Sequence, residues 1–114
     1  MKTTWRVIVF PDLEKRLWVA QCLEYDFSAQ VPFEAKIVPF HKLKEAFART
    51  ARANAELAIK LSREPFEDFP EAPAKFFKMF EMGEQLLKPF TIEIPWPNRV
   101  DEEETAQFAL ADAA

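Results

Sequence analysis

Residues Thr4 to Val31 read TWRVIVFPDLEKRLWVAQCLEYDFSAQV. Apolar and polar side chains alternate in short runs here, the period of a half-buried strand. The first run, Trp5 to Phe10, sets Trp5, Val7 and Val9 on one face and Arg6, Ile8 and Phe10 on the other. Pro11 and Asp12 open a turn, and Leu13–Arg16 form a polar tip. A second run follows from Leu17 to Cys22. Leu23–Asp26 make the next connection, and a third run spans Phe27 to Val31. A meander of three antiparallel strands is therefore expected.

Pro32 to Pro39 is bracketed by prolines and either prolongs the third strand or forms an extended connection; we read a connection. From Phe40 the period lengthens to about 3.6. Phe40, Leu43, Phe47, Thr50, Asn54, Leu57 and Leu61 make one stripe, thickened by alanines, and no Gly or Pro intervenes before Pro65. A long helix over Phe40–Leu61 is predicted. A Pro-rich connection then carries Phe66 and Phe69, and a Phe-rich second helix runs from Ala74 to Leu87 with Gly83 interrupting or ending it. Phe90–Ile94 alternates as a fourth strand. The expected fold is α+β: an antiparallel three- to four-stranded sheet in the order β-β-β-α-α-β, with the long helix on one face and the second helix beside it.

With 114 residues, 49% of them hydrophobic and twelve of them Phe, the chain can build one core without staples. All fifteen Lys and Arg lie within residues 1–100, beside fourteen of the nineteen acids. Residues 1–100 thus form a near-neutral single domain, and residues 101–114, acidic and Ala-rich, read as a solvated tail. Cys22 is the one cysteine, so no disulfide framework exists and a cytoplasmic setting is expected. No run is long enough for a membrane span or a signal segment.

Leu17–Gln30, LWVAQCLEYDFSAQ, resembles the second and third strands of the HicB-like antitoxin domain family, and Leu43–Phe47, LKEAF, resembles the start of its helix. The likeness covers roughly residues 4–64. It implies a partial ribonuclease-H-type sheet and a partner-binding domain that masks a small toxin-like protein. The chain departs from the family in three places. Tyr25-Asp26 stands where the family has a Pro-Gly turn, residues 32–39 look inserted, and no DNA-binding module is recognisable after Leu87.

The residues argue against chemistry. A two-metal nuclease needs an acid near the centre of the first strand, which here is WRVIVF; Asp12, Glu24, Asp26 and Glu45 read as turn formers and surface charges. His41 is the only histidine and has no partner at metal-ligand spacing. One glycine leaves no phosphate-cradling loop. No enzyme and no cofactor are expected.

Two surfaces remain. Lys42, Arg49, Arg52 and Lys60 give the long helix a basic outer face, a nucleic-acid surface only if exposed aromatics accompany it. Trp5, Trp18, Phe76, Phe80 and Trp96 exceed what a small one-sided core can use, and mark an interaction surface, most simply of a homo-oligomer, a symmetric dimer. The alternatives are a thick monomeric core or a Phe-lined pocket for a small molecule. The expected function is non-catalytic protein–protein interaction.

Overall fold

The computed structural model describes residues 2–34, 37–86, 88–99 and 102–111. Strands β1 (Lys2–Asp12), β2 (Leu17–Cys22) and β3 (Ser28–Pro32) form the expected antiparallel meander, with Val7 opposite Cys22 and Trp18 opposite Val31. Helices α1 (Phe40–Lys60) and α2 (Ala74–Met82) follow, then β4 (Glu84–Gln85), β5 (Phe90–Ile92) and β6 (Glu103–Leu110). The class is α+β. Of the expected segments, β5 is shorter than Phe90–Ile94 and α2 stops before Gly83, while Ala35, Lys36 and Leu87 lie outside the described residues.

The sheet departs from expectation. It has six strands in the order β3-β2-β1-β6-β4, with β5 also on β6, and it is mixed rather than antiparallel. The cause is β6, which lies parallel to β1 from Lys2↔Glu103 to Val9↔Leu110. Most of the segment read as a solvated tail is thus a central strand. Ala106, Phe108 and Ala109 are fully buried. A strand covered on both faces needs small or apolar side chains rather than clean alternation, and the run of acids before it hid that pattern.

The two helices also lie on opposite faces, not side by side. Trp5, Val7 and Val9 share a core with Leu43 and Phe47 of α1, whereas Ile8 packs with Leu23, Ala109 and Phe80 of α2. Alternate residues of one strand point to opposite faces, so the architecture is helix, sheet, helix. At the end of α2, a Cβ on Gly83 would sit 2.5 Å from the Leu110 carbonyl oxygen, so the chain's one glycine stands where α2 meets the end of β6.

α1 buries Leu43, Phe47, Ala51 and Ala55, one residue per turn. Phe47 packs on Phe27 at 5.3 Å and edge-on to Phe108 at 5.7 Å. The helix ends where Ser62 turns left-handed (φ 59°) and the Arg63 N–H donates to the Ala58 carbonyl at 2.8 Å, a termination usually made by Gly.

The β1–β2 ladder is closed by Glu24. Its carboxylate accepts from the Arg6 backbone N–H at 2.6 Å and from Arg6 Nε at 2.7 Å, while the Leu23 carbonyl is taken by the Ala72 N–H at 3.0 Å. Glu24 is therefore a ladder cap, not merely a surface charge. We expect Glu24→Ala to cost about 1–3 kcal/mol, since it strands a part-buried donor and breaks a charge-assisted pair. Urea unfolding checks this.

Candidate functional site

The five apolar residues expected to mark an interaction surface do not form one. Trp5 is 1% exposed and lies at the centre of a ring cluster, 5.1 Å from both Tyr25 and Phe66 and 6.4 Å from Phe47. It is core. Phe80 is buried under α2 and Phe76 stacks on Phe10 at 5.6 Å, both on the opposite face. Trp18 is half-buried against Phe33, and Trp96 half-buried against Phe66. With both faces roofed, these rings fill space.

The basic face is largely neutralised. Lys42 pairs with Glu34, and Arg52 pairs with Glu56 at 2.9 Å and Glu93 at 3.0 Å. Lys44 lies 4.9 Å over the Phe90 ring, and Arg63 pairs with Asp68 at 3.3 Å. Of the bases named for that face, Arg49 and Lys60 alone stand without a described partner. His41, 85% exposed in its side chain, faces Glu45 at 3.0 Å. Burial pushes the Cys22 thiol up to about 12, far from a nucleophile's range. Among the described residues no group of three or more His, Cys, Asp or Glu is placed to hold a metal, and no helix is long and apolar enough to cross a membrane.

What the structure does expose is the end of α1. Its 21 residues span about 31 Å, while the five residues of β3 span about 17 Å. The apolar stripe therefore runs past β3, the strand it chiefly packs on. Leu57 is 56% exposed, Leu61 58% and Ile59 40%. Leu57 and Leu61 continue the line of Leu43 and Phe47, one turn apart. Beside them Ala58, Phe66 and Phe69 floor a 130 Å³ groove rimmed by Arg63 and Asp68. Phe66 holds a left-handed backbone (φ 62°), rare for a bulky residue, and this turns its ring inward beneath the groove. The stripe was legible in the sequence, but its overhang depends on strand length and was not.

A second feature is polar. A 320 Å³ cleft opens between Arg52 of α1, β5 with Ile94 and Pro95, and the start of β6. Glu104 lines it yet is only 5% exposed. Burial pushes its carboxyl above the usual range; the Trp5 indole opposes this by donating a hydrogen bond, and the Glu102 charge adds to it. Burial likewise raises the Tyr25 hydroxyl, with the Glu104 charge adding. The Arg99 charge and the Trp96 indole N–H favour the Glu104 carboxylate as well. Nothing in the sequence distinguishes Glu104 from the acids beside it.

Comparison of the chain with protein-family models, curated proteins and solved structures returns no match.

Proposed function

We propose that the chain is a non-catalytic protein–protein interaction module whose docking surface is the overhanging end of α1. One observation carries this reading: Leu57 and Leu61, one turn apart on the same face, are exposed together where α1 runs past β3. Aliphatic side chains clustered on an otherwise charged helix leave apolar area in water that a partner would cover.

The occupant we favour is a second copy. A twofold contact must be self-complementary, and the rim of the groove carries both signs, Arg63 against Glu67 and Asp68. Two helix ends laid antiparallel would set unlike charges opposite each other. The patch is small beside the roughly 800 Å² per partner of a stable interface, so a dissociating dimer fits better than an obligate one. Three antiparallel strands followed by a long helix on one face also support the likeness to HicB-like domains, by which such a dimer would in turn mask a small toxin-like protein. The paired bases of α1 weigh against a nucleic-acid surface.

Light scattering over a concentration series tests the reading. The wild-type mass should rise toward two chains in the micromolar range, and Leu57→Glu/Leu61→Glu should stay at one chain with an unchanged thermal midpoint. A wild type that remains one chain at millimolar concentration would remove the proposal.

A further inference from the structure

We propose that the open edge of β3 is a second docking surface, and that its occupant is the β3 edge of another copy of this chain, so that two sheets join into one. The inference goes beyond the docking surface on α1 and does not depend on it. β3 is an outer strand of the sheet. The Cys22 N–H donates to the Phe27 carbonyl at 3.0 Å and the Phe33 N–H to the Arg16 carbonyl at 3.1 Å, with Leu17 opposite Pro32. Hydrogen-bonded pairs alternate along an antiparallel ladder, so Ala29 and Val31 bond β2, while Ser28, Gln30 and Pro32 turn their backbone groups outward. Among the described residues no backbone group answers those of Ser28 and Gln30 on that side. Ser28–Pro32 also carries no charge, and charged side chains are a common guard of an open edge.

The donors select the partner and its register. Asp26, next in line, already gives its N–H to the Pro70 carbonyl at 2.7 Å, and Pro32 has none to give. The donors left are Ser28 and Gln30, and both are answered when a second β3 lies antiparallel with Gln30 opposite Gln30. Each Gln30 N–H then meets the other Gln30 carbonyl, and each Ser28 N–H meets the Pro32 carbonyl across from it. A slip that sets Gln30 opposite Ser28 would bring Pro32 opposite Asp26, where Pro70 stands. The edge is thus complementary to itself, as a twofold contact requires. Above it, Lys44 and Arg52 lie on the flank of α1 that reaches Phe90 and Glu93. Helical spacing puts Ala46, Thr50 and Ala53 on the opposite flank, over β3, and these small side chains leave room for a second α1. So few backbone bonds are of modest net worth, which places the contact in the millimolar range. Where the α1 contact also forms, two-chain units join edge to edge.

The backbone amide resonances of Ser28 and Gln30 are the reporters. In the full chain they should move along one association curve as the concentration rises into the millimolar range. Gln30 is exposed, so Gln30→Lys and Gln30→Glu should keep the wild-type thermal midpoint. Either variant alone sets like charges opposite each other and should weaken the association about fivefold. An equal mixture of the two sets unlike charges opposite and should restore at least the wild-type affinity, read at the Ser28 amide. The Leu57 and Leu61 methyls report the α1 contact separately, so either surface can fail without the other. Ser28 and Gln30 amides that stay still at every concentration, or a mixture no tighter than either variant alone, overturn the proposal. Amides that ignore concentration but move with the blocked strand peptide acetyl-Thr-Val-Thr-Val-Thr-amide would give the edge to a different polypeptide, and overturn it too.

Discussion

A chain ending at residue 102 is expected not to fold. The cut removes β6, which pairs with β1 at eight positions and pairs with β4 and β5 on its other side. β1 would be left as a bare edge, and β4 and β5 would lose the strand they pair with among the described residues. The cut also removes Phe108, fully buried between Phe47 and Phe90. Deleting one buried Phe side chain alone costs about 3–5 kcal/mol, and lost ladder bonds add about 1 kcal/mol each. Together these exceed the roughly 5–15 kcal/mol that holds a domain folded. Near-ultraviolet circular dichroism and amide dispersion should both collapse. A truncated chain that melts cooperatively near the wild-type midpoint would show that 103–110 is an appendage after all.

Phe66→Ala should destabilise the protein by about 3–5 kcal/mol. The Phe66 ring touches Trp5 at 5.1 Å, Tyr25 at 4.9 Å, Phe27 at 5.5 Å and Phe69 at 5.1 Å, so it ties the loop after α1 to the core on that face. The backbone supplies a sharper test. At φ 62° alanine remains strained, while glycine does not. Phe66→Gly should therefore be no less stable than Phe66→Ala, reversing the penalty of about 0.5–1 kcal/mol that Gly ordinarily carries against Ala in regular structure. Urea midpoints of the three proteins decide it. A Gly variant clearly weaker than the Ala variant would mean the left-handed turn is not there.

The parts of the fold that could be read from residues are those with a strong local period. Trp5–Phe10, Leu17–Cys22 and Leu43–Ala55 each carry their own pattern, and each forms the element expected. β6 does not announce itself, because Ala106 and Ala109 are poor strand formers in isolation and earn their place by fitting under two helices. The side of the sheet that α2 covers was equally hidden. Phe76, Phe77, Met79 and Phe80 are apolar nearly all round, so spacing could not orient them, and only the parity of Ile8 against Val7 and Val9 reveals the face. The same holds for the site. Trp5, among the largest of the apolar side chains, lies in the core, while the exposed groups are the aliphatic Leu57 and Leu61 at the end of a stripe that looks buried throughout. Exposure there is set by the ratio of helix to strand length, a property of two distant segments together.

The surface claim reduces to a question about two leucines. Methyl spectra of the wild-type chain recorded from micromolar to millimolar concentration should show the Leu57 and Leu61 resonances moving on one binding curve, with Leu43, fully buried nearer the start of the same helix, fixed. Stationary Leu57 and Leu61 methyls across that range, or an association curve reported by other residues while these two stay still, would contradict it.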